Sequence, residues 1–169
     1  MKMQSIDDLL YTGLTYVHNF EQQIGSEAPK MAQASSNPEL KQTFEQTESK
    51  SQEYAQRVQQ AFAKLGKEPK SNDNPIAKAM IDEVENMIAN TDPSPVRDAA
   101  LIVAANQQQL YRVASYGSLK TYAELIGKGD AVAELQQNLE DSKGGDAKLT
   151  KIAETQVNQQ AVQGQKAAA

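Results

Sequence analysis

Side chains carrying oxygen and nitrogen donors interrupt the apolar stripes of this 169-residue chain. At the helical period, Glu21 falls between Val17 and Ile24, Thr47 and Ser51 between Phe44 and Ala55, and Asn106 between Val103 and Leu110. Gln109 sits at the edge of that third stripe, and the gap between Leu139 and Leu149 holds Ser142, Lys143 and Asp146. Each interruption comes near the middle of its stripe. Four helices packed up-down-up-down bring the four to one level, as a polar layer across the core. Inward carboxylates at mid-bundle, supplemented by two Glu-x-x-His pairs, are how one class of helical bundle holds two metal ions. The chain has a single histidine, His18, and its spacing with Glu21, "HNFE", runs the wrong way round for that motif. His18 also lies about 100° from the centre of its helix's stripe, which predicts a solvent-facing ring beside a helical neighbour.

A buried Glu21 requires a partner or a proton, because an isolated carboxylate in a core is expensive. The candidates are Arg112, Lys143 and the hydroxyls of Thr47 and Ser51. In the stretch "AANQQQLYR", Asn106 and Gln109 are expected to be buried, whereas Gln107 and Gln108 read as outward-facing helix formers. Tyr111, Tyr116 and Tyr122 read as core or interface aromatics. Ser115 and Ser118 lack a histidine base, and "KGGD" lacks the spacing of a phosphate loop. With no cysteine, thiolate metal sites, disulfides and cysteine nucleophiles are excluded.

The elements that must position these residues are helices. Aromatics are few, tryptophan is absent, and Pro, Gly, Ser, Asn and Asp cluster between long periodic stretches. One stretch runs from about Ser5 to the low thirties. A second begins near Pro38 and ends at Gly66. A short helix over "IAKAMIDEVENMIAN", packed through Met80 and Met87, lies across the bundle. The third long helix follows "NTDPSPVRDAA" to Gly127, with Ala99, Ile102, Val103, Leu110, Val113 and Leu119 in its core stripe. The fourth opens near Asp130 and is expected to kink or break at Gly144 and Gly145. Residues 1–160 form one helical domain, and the polar end, 161–169, frays. The net charge of -5, with signs mixed, gives no basic footprint for nucleic acid. No apolar run is long enough for a membrane span, so a soluble cytoplasmic protein is expected.

Three segments together resemble the YciF/YciE-type ferritin-like stress proteins, a family of uncertain function. They are "FEQQIGSEAPKMAQASSNPELKQTF", "VRDAALIVAANQQQLYRVASYGSLKTYAELIG" and "LQQNLEDSKGGDAKLTKIA". The similarity spans nearly the whole chain, and "VRDAALI" followed by "YRVASYGSLKTYAELIG" is its most specific part. The resemblance implies an all-α, ferritin-like antiparallel four-helix bundle with an additional short helix between the second and third. It also implies a homodimer, an association with stress, and in typical members a metal-ligating set at the bundle's midpoint.

That set is mostly replaced here. Glu21 keeps its carboxylate, but Thr47 stands where His is typical, and Lys50 and Gln52 where Glu is typical. Gln109 and Arg112 occupy usual Glu positions and Leu110 a usual His; Asp141 and Asp146 keep acids, while Ser142 replaces a Glu. Amides are weak ligands for iron or manganese, and Lys and Arg do not ligate at neutral pH. The resulting expectation is a non-catalytic structural or interaction protein without a metal cofactor, whose partner the sequence does not name. Its degenerate layer comprises Glu21, Thr47, Lys50, Ser51, Asn106, Gln109, Arg112, Ser142 and Asp146. Two alternatives stand beside it: an iron or manganese carboxylate protein of oxidase or peroxide type using Glu21, Asp141, Asp146 and His18, and a small-molecule binder using the polar layer as its pocket.

Overall fold

Ser5, Asn37, Asn74 and Ser94 start helices by the same chemistry. Each side-chain oxygen accepts a backbone N–H from the first turn, and the last three are each followed by a proline whose missing N–H costs nothing there. In the computed structural model, which describes residues 3–70 and 74–168, these caps open α1 (Ile6–Ala34), α2 (Pro38–Glu45), α4 (Pro75–Ala89) and α5 (Pro95–Leu125). The second expected helix is two, because a turn at Gln46 separates α2 from α3 (Thr47–Lys64). A 3-10 turn, Gly129–Val132, leads into α6 (Leu135–Ile152), a π-helical stretch Ala153–Val157 and α7 (Asn158–Ala168).

Helix α6 passes through Gly144 and Gly145 without interruption, contrary to the expected kink. A Cβ at position 145 would lie 2.8 Å from Gln109 Nε2, so this glycine makes room for a neighbouring helix's side chain. The departure from α geometry comes later, at Ala153–Val157. From 161 to 168, where the sequence suggests fraying, the backbone is helical.

Cross-helix pairings fix the topology. Gly25 meets Ser51 and His18 meets Gln59, so α1 and α3 are antiparallel. Gly13 meets Leu119 and Glu21 meets Arg112, so α1 and α5 are antiparallel as well. Tyr54 pairs with Asn138 and Lys64 with Glu134, which sets α3 against α6 in the same sense. Helices α3 and α5 therefore run in one direction, joined by a long crossover containing α4, and the simple up-down-up-down order does not apply. One such crossover is the connectivity of ferritin-like bundles. At the crossover's far end Arg97 donates to the carbonyls of Ile88 and Thr91, closing α4. Buried Asp98 accepts the N–H groups of Ser36 at 2.8 Å and Asn37 at 2.9 Å, tying α5 to the turn before α2.

The core is all-α packing in two main apolar blocks. One gathers Leu10, Leu14, Val58, Phe62, Leu119 and Leu135, and the other Met31, Leu40, Phe44, Leu101, Ile102 and Leu149. Between them α5 contributes Gln108 and Arg112 to the interior. Its buried face is the expected one only in part: Ile102 and Leu119 are buried, but Val103 and Leu110 are 53% and 55% exposed. Helix α5 carries two stripes, and the face that packs inward is the one whose polar groups meet partners on other helices.

Candidate functional site

Gln108, Arg112 and Tyr116 are spaced by four, which stacks them along one face of α5. Glu21 faces them from α1 and Ser51 from α3. Arg112 is 2% exposed and Glu21 1%. The guanidinium Nε donates to Glu21 Oε1 at 2.9 Å and to Oε2 at 3.1 Å, while Nη2 donates to Oε2 at 2.8 Å and to Ser51 Oγ at 3.1 Å. Tyr116 Oη adds a bond of 2.9 Å to Glu21 Oε1. The rings of Phe20 and Tyr54 lie 5.3 and 5.6 Å from Arg112 Cζ, within range of a cation–π attraction. Gly25 on α1 permits this closeness, since a Cβ there would come 3.0 Å from Ser51 Cβ.

Burial works to lower the basicity of Arg112, but the charge and hydrogen bonds of Glu21 outweigh it, and the guanidinium is held above its ordinary value. Burial, reinforced by the Glu21 carboxylate, pushes the Tyr116 phenol well above its usual range, so it remains a donor. Burial also pushes the Tyr54 phenol up to about 12. The centre is thus a neutral ion pair with a bidentate fork, strengthened by two hydroxyls.

Of the residues expected in the layer, Glu21, Ser51, Arg112 and Gln109 come together; Gln109 Oε1 is 3.5 Å from Arg112 Nη1. Lys50 does not join them, because it is exposed and paired with Glu53 at 3.0 Å. Lys143 is likewise no partner of Glu21, being held outside by Glu140 at 3.0 Å. Thr47 is half-buried and turns its hydroxyl back to the Thr43 carbonyl at 3.3 Å. Asn106 is half-buried at the α6 interface, donating to Thr150 Oγ1 at 3.3 Å, with its own oxygen unpartnered.

Ser142 is fully buried but bonds within α6, to the Asn138 carbonyl at 2.7 Å, and Asp146 is half-buried. Asp141 meets Arg57 at 3.2 Å, and the same guanidinium reaches buried Asn138 Oδ1 at 2.9 Å. His18, expected in solvent, is buried instead: its Nε2 lies 3.0 Å from Gln59 Nε2 in the seam between α1 and α3, and burial lowers its pKa. Residues missed from the sequence are Tyr116, read only as a packing aromatic, Gln108, read as outward-facing, and Asn138. The spacing of four from Arg112 was the available signal for the first two.

A cavity of about 310 Å3 opens beside the ion pair, lined by Phe44, Tyr54, Gln108, Gln109, Arg112 and Leu149 among others. Among the described residues, no three His, Asp or Glu side chains gather as metal ligands, and no helix is long and apolar enough to cross a membrane.

Comparison with known proteins places this geometry. A domain of unknown function, DUF892, matches residues 5–162. The chain belongs to the DUF892 family. Protein YciF of Escherichia coli strain K12 is 33% identical over 162 residues, spanning 95% of this chain and 98% of that protein. The crystal structure of that E. coli stress protein superposes on this DUF892 chain with a TM-score of 0.87, covering 92% of this chain and 99% of the other. YcfI of Rhodopseudomonas palustris, to which a structural role has been ascribed, gives a TM-score of 0.82 at 33% identity, with coverage of 88% and 95%.

Proposed function

We propose that this chain is a non-catalytic, stress-associated structural protein in which an internal ion pair takes the place of a metal centre. The observation that carries the reading is the engagement of Glu21: both of its oxygens are bonded to Arg112, and one also to Tyr116. A cation arriving there would have to displace a bidentate guanidinium from a carboxylate that is almost fully buried. The other acids and the histidine do not fit an iron or manganese site either. Asp141 is bound by Arg57, His18 faces Gln59, Asp146 belongs to no cluster of three metal-ligating side chains among the described residues, and the layer's other groups are amides, hydroxyls and the exposed Lys50. The stress and structural descriptions of the two relatives support the same assignment.

The reading includes a homodimer formed through the outer face of α5. Val96, Val103 and Leu110 recur every seven residues there, interleaved with Gln107, Ala114 and Thr121, and none of these is charged. Heptad spacing is the pattern of a helix that meets another helix, and α5 already satisfies its inward contacts through its opposite face. An uncharged stripe is compatible with its own copy about a two-fold axis, which an isologous interface requires.

The experiment is metal analysis of the full chain after purification under iron- and manganese-replete conditions. The expected result is well below one ion per chain. Stoichiometric iron or manganese would overturn the proposal.

A further inference from the structure

The cavity between α1, α2, α3, α5 and α6 carries an unused set of donors and acceptors. Gln108 is only 4% exposed, yet its amide makes no hydrogen bond among the described residues, and it lines the cavity. The amide is not among the sealed polar atoms that lack a partner, so it faces open space rather than closed core, where a ligand group can replace water. Beside it, Arg112 has five N–H donors; those on Nε and Nη2 are taken by Glu21 and Ser51, and Nη1 has only the 3.5 Å contact to Gln109. The Gln109 amide adds a further polar group, and Met31, Phe44, Ala105 and Leu149 supply apolar lining.

We infer that this cavity is a binding site for a small, neutral, planar molecule bearing an amide or lactam edge. Gln108 offers a carbonyl acceptor and an N–H donor side by side, the complement of another amide, and Arg112 Nη1 adds a donor for the ligand's carbonyl. Neutrality follows from charge. Glu21 cancels Arg112, and the rim sets Lys50 and Lys148 against Glu140 and Asp141, so nothing selects an ion of either sign. A planar ring suits the site because the amide edge is itself planar and Met31, Phe44 and Leu149 offer apolar surface beside the polar groups. At about 310 Å3 the space lies at the small end of ligand pockets, suited to a single ring system. The inference rests on the reading of the Arg112–Glu21 pair as an internally neutral centre.

The test uses three probes of one shape on the full-length chain: benzamide, benzoate and toluene, with binding followed by calorimetry and protein NMR. Benzamide is expected to saturate below about 1 mM, at least tenfold more tightly than either analogue, with nuclear Overhauser contacts to the Met31 and Leu149 methyls. Gln108→Leu, an apolar replacement in a buried position, is expected to fold with unchanged helicity and to bind benzamide at least tenfold more weakly. Failure of benzamide to saturate, equal binding of the three probes, contacts elsewhere on the molecule, or full affinity in Gln108→Leu would each overturn the inference. Those failures leave the metal-free reading standing, because metal content is measured separately.

Discussion

Gln109 on α5 reaches so far toward α6 that its amide occupies the space a Cβ of residue 145 would need, 2.8 Å away. Gly144, one residue earlier, has nothing within 4 Å of the corresponding position. Both glycines weaken α6 by backbone entropy, by about 1 kcal/mol each relative to alanine. Gly144→Ala is therefore expected to stabilise the protein by most of that amount in urea unfolding. Gly145→Ala is expected to gain clearly less, since Gln109 must swing away from Arg112. Equal gains would mean that the contact is not made in solution.

Removing one half of the buried ion pair leaves the other half uncompensated. Glu21→Gln and Arg112→Met are each expected to destabilise the fold by about 3–5 kcal/mol. The double variant Glu21→Leu with Arg112→Met is expected to lose far less than the sum, because no bare charge remains. Additive losses in denaturant titrations would show that the two groups do not depend on each other.

His18 gives a pH dependence whose sign follows from its burial. Its folded-state pKa lies below the ordinary value of 6.5, so below that pH the unfolded chain takes up a proton that the native ring refuses. Stability is complete above the unfolded value and declines as pH falls through it toward the folded value. The melting temperature is expected to drop between pH 7.5 and 5.5, and to drop less in His18→Gln. Identical profiles for the two proteins would place the ring in water.

Leu110 reports on the outer face of α5. It is 55% exposed, so Leu110→Glu is expected to leave the melting temperature of the subunit nearly unchanged while converting a dimer to a monomer in sedimentation equilibrium. A monomeric natural protein, or a variant that remains dimeric, would remove α5 as the contact.

Helix starts were legible because they are local. Ser5, Asn37 and Ser94 cap within three residues of themselves, and the sequence shows both partners of each bond. The inward face of α5 was legible only in part: Ile102 and Leu119 are buried as expected, but the stripe through Val103 and Leu110 competes with one containing Gln108, Arg112 and Tyr116. Periodicity ranks faces by hydropathy, whereas the fold chose the face whose polar atoms could be matched by Glu21 and Ser51 on other helices. Arg112 was nevertheless foreseeable as a partner, since a buried Glu21 demands a cation and few were on offer. His18 misled because α1 is flanked by both α3 and α5, so a side chain well off the stripe's centre is still covered.

The long crossover divides the molecule into two helical hairpins, and the ion pair is shared across that division: Glu21 and Ser51 belong to the first hairpin, Arg112 and Tyr116 to the second. Docking of either hairpin onto a copy of itself would confront carboxylate with carboxylate, or guanidinium with guanidinium, with no opposite charge to neutralise either. Like-charge contacts of that kind are costly, so the pair favours the unlike half over a copy of the same one.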